Sequence, residues 1–521
     1  MMSLKKINSA LLSVYHKDGL DDIVRLLAGA GVKLYSTGGT LEFIKSLGFE
    51  ATAVESLTGY PSILGGRVKT LHPGVFGGIL SRREVAGDAA QLEEYGIPEI
   101  DLVIVDLYPF EATVASGATE SEIIEKIDIG GISLIRAGAK NHRDVVIVGS
   151  QAQYAPLLEL LKTQSCATTL EQRRHFAAAA FGVSSHYDSA IFNWFNGPGC
   201  NGDGDSGCGE IPAFRASYDG GRSLRYGENP HQKASFRGDL DAVFQQLHGK
   251  EISYNNLLDI DAAVNLIAEF PDSEPAFAIL KHNNACGVGT GATVLEAYTR
   301  ALEADPVSAF GGVLICNKPV DVAAAEKINE LFCEVILAPA YEPTVLEILQ
   351  SKKNRIILVL KNIARPTEQF RSLLNGVAVQ ERDLKVGGLD GETKTVTKRQ
   401  PTPTQLSDMV FANKIVKQSK SNAIVLARGG QMLASGVGQT SRVDALKQAI
   451  EKAKSFGFSL EGAVMASDAF FPFADCVEIA RAEGIDAVIQ PGGSVRDADS
   501  IEYCDANNMT MVFTGLRHFK H

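Results

Sequence analysis

The side chains best suited to chemistry follow an apolar run that begins at Ala278. Lys281 and His282 come directly after that run, and the next residues are Asn283-Asn-Ala-Cys-Gly287-Val-Gly. Lysine supplies a positive charge, and histidine accepts a proton near neutral pH. Ligands of α/β proteins gather at the carboxyl ends of strands, and glycines let backbone approach a ligand. The stretch therefore predicts a proton-transfer site at a strand end; the alternative is a strand end with two solvated polar residues.

Two glycine-containing turns near the N-terminus suit an anionic ligand. Residues 36–40 (Ser-Thr-Gly-Gly-Thr) join a predicted strand to a predicted helix, so that free backbone amides and hydroxyls can receive a phosphate. Residues 64–74 bring four polar side chains together between glycines and a proline: Arg67, Lys69, Thr70 and His72. The alternatives are a tight strand-to-helix connection for the first turn and a solvated basic loop for the second.

The elements that must position these residues follow an α/β rhythm. Short apolar runs at residues 10–14, 32–35, 101–107 and 145–148 predict buried strands, and helical segments between and after them extend to about residue 195. Residues 196–209, rich in glycine and nearly devoid of large apolar side chains, predict an interdomain linker. We predict one domain at 1–196, a linker at 197–211 and a second domain at 212–521.

The second domain repeats the rhythm. We predict helices at 257–270 and 293–303, strands ending at residues 281 and 316, and strands near 376–380, 422–427 and 487–490. A strand leads to a polar turn at Lys281-His282 and again at Gln490-Pro-Gly-Gly-Ser494, which hints at an internal duplication.

The length, net charge and cysteine content of the chain exclude several classes of function. The 521 residues are too many for one core, and the net charge of -12 disfavours binding to nucleic acid or to an anionic membrane. No N-terminal signal or membrane-spanning run is evident, so we expect a cytoplasmic protein without a membrane partner. Eight cysteines without a Cys-x-x-Cys pair argue against a disulfide framework and a structural zinc site, and we expect no catalytic metal.

Motifs along almost the whole chain resemble one bifunctional family of purine biosynthesis. Those resembling its IMP cyclohydrolase domain begin at Thr37 (Thr-Gly-Gly-Thr), Gly66 (Gly-Arg-Val-Lys-Thr-Leu-His-Pro), Asp106 (Asp-Leu-Tyr-Pro-Phe), Ile127 (Ile-Asp-Ile-Gly-Gly) and Arg136 (Arg-Ala-Gly-Ala-Lys-Asn). Those resembling its AICAR transformylase domain begin at Leu224 (Leu-Arg-Tyr-Gly-Glu-Asn-Pro-His-Gln), Lys281 (Lys-His), Ser467 (Ser-Asp-Ala-Phe-Phe-Pro-Phe) and Leu516 (Leu-Arg-His-Phe).

The resemblance implies fold, activity and partners. It implies an N-terminal methylglyoxal-synthase-like α/β domain and a C-terminal transformylase domain of two cytidine-deaminase-like halves. It implies formyl transfer from 10-formyltetrahydrofolate, a reduced folate, to AICAR, then cyclisation of formyl-AICAR to IMP. It also implies a homodimer whose transformylase sites form across the subunit interface, and it leaves room for a bound monovalent cation.

The resemblance also assigns roles to residues. It makes His282 the base of formyl transfer, Lys281 its electrostatic partner and Asn422 an amide near the formyl oxygen. It places four further catalytic groups around the closing ring: Lys69, Tyr108, Asp128 and Lys140. Substrate contacts implied in the first domain are Ser13, Lys17, Ser36, Thr37, Gly38, Thr40, Arg67, Thr70, Gly130 and Gly131. Those implied in the second domain are Arg225, Tyr226, Asp305, Phe310, Gly311, Phe470, Asp475, Arg517 and Phe519.

Two positions depart from the family pattern. Tyr15 stands where the family often has Ser, and Asp106 stands where it commonly has Asn. A zinc deaminase is a rival interpretation, but the His-x-Glu and Pro-Cys-x-x-Cys strings that it requires do not occur. A nucleotide-binding regulator without turnover is the second rival, disfavoured because Lys281, His282, Asp128 and Lys140 occur together.

Overall fold

The computed structural model describes residues 4–196, 213–361, 365–386 and 393–521. It divides into two compact units, Met1–Asp219 and Gly220–His521. The linker that we predict at 197–211 lies outside the described residues.

The first unit is built on a five-stranded parallel sheet with strand order β4-β3-β2-β5-β6. The strands of this unit are β1 (Lys5–Lys6), β2 (Ser9–Ser13), β3 (Lys33–Ser36), β4 (Thr52–Ala53), β5 (Leu102–Val105), β6 (Val146–Val148) and β7 (Ala167–Thr168). Its helices are α1 (Leu20–Gly29), α2 (Gly38–Ser46), α3 (Val54–Thr58), α4 (Pro73–Leu80), α5 (Ala86–Glu94), α6 (Phe110–Ala115), α7 (Glu120–Ile124), α8 (Gly130–Lys140), α9 (Tyr154–Thr163) and α10 (Leu170–Phe195).

Helices cover both faces of this sheet, which explains why its strands read as continuous apolar runs. Successive residues of β2 point to opposite faces: Leu12 packs in one core with α1 and α9, whereas Leu11 packs in another with α4, α8 and α10. All five strands run in parallel, so their carboxyl ends share one edge of the sheet. The loops after β2, β3 and β5 therefore meet there.

The second unit holds a 12-stranded sheet with strand order β10-β15-β14-β13-β11-β12-β20-β19-β21-β22-β23-β18. Its strands are β8 (Arg222–Leu224), β9 (Ala234–Phe236), β10 (Phe244–His248), β11 (Ala276–Lys281), β12 (Asn284–Thr290), β13 (Val313–Cys316), β14 (Val335–Ala338), β15 (Ile356–Leu360), β16 (Glu368–Leu373), β17 (Gly376–Glu381), β18 (Lys394–Thr395), β19 (Ile424–Arg428), β20 (Gln431–Gly436), β21 (Val464–Ser467), β22 (Ala487–Gln490) and β23 (Thr510–Phe513). Its helices are α11 (Tyr254–Ile267), α12 (Val294–Ala304), α13 (Val322–Glu330), α14 (Pro343–Gln350), α15 (Pro403–Lys417), α16 (Arg442–Ser455), α17 (Asp475–Ala482) and α18 (Asp497–Ala506).

The sheet order reveals two halves with the same topology. In each half an antiparallel hairpin (β11–β12 or β19–β20) is followed by three parallel strands, and an antiparallel strand closes the edge. The halves meet where β12 pairs with β20. The duplication is therefore real, but our pairing of its turns was wrong: the counterpart of the β11–β12 turn at Lys281-His282 is the β19–β20 turn, whereas Gln490 ends β22. This topology by itself does not establish the expected deaminase-like character of the halves.

Two further expectations need correction. The strand predicted near 376–380 exists as β17, but among the described residues it pairs only with β16, in a separate exposed hairpin outside the large sheet. Gly287 and Gly289 lie inside β12, where a Cβ on Gly287 would come 1.8 Å from the carbonyl oxygen of Ala301 in α12. These glycines permit close packing of helix on strand and are not a backbone approach to a ligand.

Candidate active sites

The turn after β3 brings hydroxyls to the end of β2 in the first unit. Ser13 Oγ lies 2.9 Å from Thr37 Oγ1, and Thr40 Oγ1 accepts a hydrogen bond from Val14 N–H at 3.1 Å. Thr37 and Thr40 are buried, and Ser36, also buried, donates its hydroxyl to Leu12 O. Ser36 thus ties β3 to β2, while the exposed part of the turn is Gly38 and Gly39, which follow Thr37, the N-cap of α2.

Two lysines face the first residues of α2. A Cβ on Gly38 would lie 3.5 Å from Lys69 Nζ, and one on Gly39 would lie 4.0 Å from Lys17 Nζ. Burial lowers the pKa of Lys17, with a further decrease from Lys69, while nearby Asp106 opposes the shift. Two ammonium groups beside free N–H groups at a helix N-terminus suit a phosphate or another compact anion. We refer to Lys17, Lys69 and residues 37–40 as the anion-binding corner.

Asp128 lies next to this anion-binding corner, at the start of α8. Its Oδ1 accepts a hydrogen bond from Gly131 N–H at 2.6 Å, and its own N–H donates to Tyr187 Oη at 2.9 Å. Burial raises the pKa of Asp128, although the N–H groups of Gly131 and Tyr108 and the charge of Lys69 oppose this. Burial and Asp128 raise the pKa of the Tyr108 phenol. Asp128 is thus suited to accept a proton beside a neutral phenol and a lysine.

Thr70 and Gly130 lie close to each other beside this corner, whereas Arg67 pairs with a glutamate and Lys140 lies at the far end of α8. A Cβ on Gly130 would come 2.8 Å from Thr70 Oγ1, so the Thr70 hydroxyl lies close against the backbone of Gly130. Arg67 is exposed and forms an ion pair with Glu125. Lys140 ends α8, whereas Asp128 precedes its first residue, and an 11-residue helix separates its ends by about 15 Å. Within this unit the geometry does not bring Lys140 to the ring that Asp128 would contact.

In the second unit Lys281 and His282 occupy the tight turn between β11 and β12. His282 and Asn283 form a two-residue hairpin loop, and both have positive φ, 53° and 63°, as a type I′ turn requires. Lys281 Nζ donates a hydrogen bond to Phe310 O at 2.9 Å, and His282 is exposed. The turn therefore presents an imidazole to solvent and joins Lys281 to the segment of Phe310 and Gly311.

The β11–β12 turn lies at the same sheet edge as the start of β19. Asn284 Oδ1 accepts a hydrogen bond from Lys420 N–H at 3.1 Å, which brings the turn to the segment of Asn422. The C-terminal tail joins this edge because Ser421 and Lys520 exchange two hydrogen bonds, each 3.0 Å. Asn422 is largely engaged: its Nδ2 donates to Gln439 O at 3.0 Å and to Thr440 O at 3.3 Å, and its Oδ1 accepts from an arginine described below.

Five aromatic or cationic residues that we expected at the nucleotide and folate pockets lie at the surface of this unit, four of them exposed and Tyr226 half-buried. Arg517 stacks on Phe519, with its guanidinium carbon 4.6 Å from the ring centroid, and the two belong to the C-terminal tail. Arg225 stacks on Tyr226 at 4.7 Å and donates to its hydroxyl at 2.9 Å. Phe470 is 37% exposed, so its ring is free to contact a ligand.

Asp305, a predicted substrate contact, is buried and paired within the unit. Its side chain is 2% exposed and forms an ion pair with Lys452 Nζ at 2.5 Å, while Ser308 N–H donates to its other oxygen at 2.8 Å. A carboxylate so buried and paired holds the end of α12 against α16, and its contact with substrate stays a prediction. Asp475, at the first residue of α17, accepts a hydrogen bond from the N–H of its neighbour Cys476.

The structure adds polar residues that sequence reasoning missed. Asp259, on α11, accepts a hydrogen bond from Asn283 N–H at 2.7 Å and faces the charges of Lys281 and His282. Arg442 donates to Asn422 Oδ1 at 2.7 Å and pairs with the fully buried Asp468. The signal for Arg442 was present in the polar cluster at 438–442, but no spacing in the sequence linked α11 to the β11–β12 turn.

Metal and membrane features are absent from the parts of the chain that the structure describes. Among residues 4–196, 213–361, 365–386 and 393–521, no group of three or more His, Cys, Asp or Glu side chains is arranged to hold a metal ion. None of the helices in those ranges is both long enough and apolar enough to span a bilayer.

Comparisons with known proteins cover the whole chain. The family model described as AICARFT/IMPCHase bienzyme matches residues 138–452, and the model of the MGS-like domain matches residues 19–133. A protein of Bacteroides thetaiotaomicron named bifunctional purine biosynthesis protein PurH is 65% identical over 521 residues, covering 100% of both chains. A protein of the same name from Chlorobium chlorochromatii is 45% identical, again over 100% of both chains. A solved structure titled "Crystal structure of ForH" is 33% identical, with a TM-score of 0.32, over 36% of this chain and 99% of that chain.

Proposed function

The chain belongs to the AICARFT/IMPCHase bienzyme family, and from this premise we propose that it catalyses the last two steps of IMP synthesis. The first step transfers a formyl group from 10-formyltetrahydrofolate to AICAR. The second closes the ring of formyl-AICAR to give IMP and water. The alternative of a regulator without turnover gains no support from the full-length relatives, which carry the enzyme's name.

One observation carries the proposal: each unit holds its own pairing of a lysine with a group able to accept a proton. In the first unit Lys69 lies close enough to Asp128 to influence its pKa. In the second unit Lys281 and His282 are consecutive at one turn. Two separate pairs are what two consecutive proton-transfer reactions require, whereas a binding module requires neither.

Formyl transfer needs help because the amine of AICAR is a weak nucleophile, its lone pair being delocalised into the imidazole ring. We assign His282 as the base that takes the amine proton while the new C–N bond forms to the formyl carbon. Lys281 stabilises the negative charge on the formyl oxygen and supplies a proton as the bond to folate N10 breaks. The contact from Lys281 Nζ to Phe310 O, 2.9 Å long, supports this assignment because it aims the ammonium group along this sheet edge.

Ring closure is intramolecular, so that correct folding of the bound substrate supplies much of the acceleration. The carboxamide nitrogen attacks the formyl carbon, and the former formyl oxygen leaves as water. We assign Asp128 as the base for the carboxamide proton, with Lys69 and the Tyr108 phenol stabilising or protonating the departing oxygen. Lys17 and the N-terminus of α2 would bind the phosphate of the substrate, which supports placing the ring towards Asp128.

A pair of variants tests the proposal. Asp128→Asn and His282→Ala are assayed separately for formyl transfer and for cyclisation of supplied formyl-AICAR, by ultraviolet absorbance with IMP quantified by chromatography. We expect a parent chain active in both steps. A parent that binds AICAR and formyl-AICAR but converts neither would refute the enzyme and favour the regulator.

The proposal extends to features that the family implies. They are a homodimer, a cytoplasmic location and a bound monovalent cation. Sedimentation equilibrium tests the first, cell fractionation the second, and activity in potassium against tetramethylammonium chloride the third.

A further inference from the structure

One carboxylate fixes the middle of the loop that follows β2, residues 14–19. Asp106, the first residue after β5, accepts two hydrogen bonds at the same oxygen, Oδ2: one from His16 N–H at 2.8 Å and one from His16 Nδ1 at 2.7 Å. A carboxylate only accepts, so Nδ1 must carry the proton. The Asp106 side chain is 14% exposed, which favours a persistent contact.

The residue after His16 is one of the two lysines at the anion-binding corner. Lys17 Nζ donates to Val14 O at 2.9 Å and to Tyr15 O at 2.7 Å, so its position depends on the path of this loop. Asp106 also raises the pKa of Lys17 against the lowering effect of burial. The carboxylate therefore holds the loop that carries the ammonium group and helps to keep that group charged.

The residue before His16 lies against the ring-closing site. The Tyr15 ring meets the Tyr108 ring edge to face, with centroids 5.6 Å apart. Lys126 Nζ lies 5.4 Å from the centroid of Tyr15 and 5.8 Å from that of Tyr108. Tyr15 is 41% exposed, so one side of its ring remains open to a ligand beside the phenol of Tyr108.

We propose that Asp106 and His16 are positioning residues for ring closure, acting through Lys17 on the phosphate and through Tyr15 on the heterocycle of the substrate. This inference rests on the proposed function. Tyr15 and Asp106, the two departures from the family pattern, would then act together on the loop after β2. Tyr15 becomes a specificity-determining wall for a planar, phosphorylated heterocycle.

A simpler account is that the pair only holds β2 to β5. The two accounts predict different values for the pKa of Asp128 when the charge of Asp106 is removed. Asp106 faces four charged or titratable groups on three parts of the unit. They are His16 and Lys17 in the loop after β2, Asp128 just before α8, and Tyr154 at the start of α9. Because Asp106 raises the pKa of Asp128, removing its charge must lower that pKa.

The test uses the full chain and supplied formyl-AICAR. Asp106→Asn keeps an acceptor for His16 N–H but removes the charge, so the acid limb of the pH profile of cyclisation should move to lower pH. His16→Ala loosens the loop, so the KM for formyl-AICAR should rise about tenfold, the effect of one hydrogen bond to a charged group. His16→Asn, which restores a side-chain donor, should recover most of that loss.

Controls separate this inference from folding and from the proposed function. Formyl transfer by the same preparations should match the parent, and so should cyclisation by Asp88→Asn, which removes an ion pair with Arg82 elsewhere in the unit. If Asp106→Asn and His16→Ala keep the KM and acid limb of the parent while Asp128→Asn abolishes cyclisation, the pair is only structural and the inference fails. If Asp128→Asn also cyclises normally, the proposed site fails with it.

Discussion

Truncation of Asp259 should impair formyl transfer although this residue contacts no substrate in our assignment. Its carboxylate accepts a hydrogen bond from Asn283 N–H at 2.7 Å and so anchors the turn that carries His282. Asp259→Ala removes a hydrogen bond to a charged group, which is worth about 1.5–3 kcal/mol. If that energy holds the turn in its productive arrangement, kcat/KM for formyl transfer falls about 10- to 150-fold.

A matched variant separates geometry from charge. Asp259→Asn keeps an oxygen that can accept from Asn283 N–H but removes the negative charge beside Lys281 and His282. If Asp259 acts by positioning, Asp259→Asn should retain most of the formyl transfer that Asp259→Ala loses. The assay follows formyl transfer from 10-formyltetrahydrofolate to AICAR, with cyclisation of supplied formyl-AICAR as the internal control for folding.

Two results would refute this reasoning. Formyl transfer by Asp259→Ala at the rate of the parent would show that the turn holds its shape without the carboxylate. Equal losses in Asp259→Ala and Asp259→Asn would show that the charge matters and the hydrogen bond does not.

Three further predictions concern the remaining described groups. Asp128→Asn should slow cyclisation about 10²- to 10⁴-fold. Because burial raises the pKa of Asp128, cyclisation by the parent should already be lost at a pH above the usual pKa of an aspartate as the pH falls. A loss centred on an ordinary aspartate pKa would contradict this. Glu269→Ala should lower the free energy of unfolding in urea by about 3–5 kcal/mol, because Lys417, whose side chain is 1% exposed, loses its partner; an unchanged midpoint would contradict it. Burial raises the pKa of Cys316 and Cys504 to about 12, so mass spectrometry should find both unalkylated by iodoacetamide at about pH 8 until the chain unfolds.

The strands were predictable because parallel strands covered on both faces are short, continuous apolar runs. The strand predicted to end at residue 316 ends there as β13, the strand predicted at 487–490 coincides with β22, and the others differ by a few residues. The strand near 376–380 was also found, but apolar alternation cannot reveal that it pairs with β16 and lies outside the large sheet that the structure describes. Strand pairing depends on residues far apart in sequence, so the topology had to come from the structure.

The sites were predictable where a motif is local. Lys281 and His282 are neighbours in sequence and remain neighbours at the turn, and the turn at 36–40 does open a helix. Contacts between residues far apart in the sequence could not be predicted: Asp305 pairs with Lys452, about 150 residues away. Lys140 stands near Asp128 in the sequence, but the intervening helix separates them.

The central claim is that two independent sites, one in each unit, perform consecutive steps. The most direct measurement takes Asp128→Asn and His282→Ala and assays each variant for both reactions. We predict that Asp128→Asn accumulates formyl-AICAR from AICAR and 10-formyltetrahydrofolate without making IMP. We predict that His282→Ala converts supplied formyl-AICAR to IMP but makes none from AICAR. Loss of both reactions in either correctly folded variant would contradict the account.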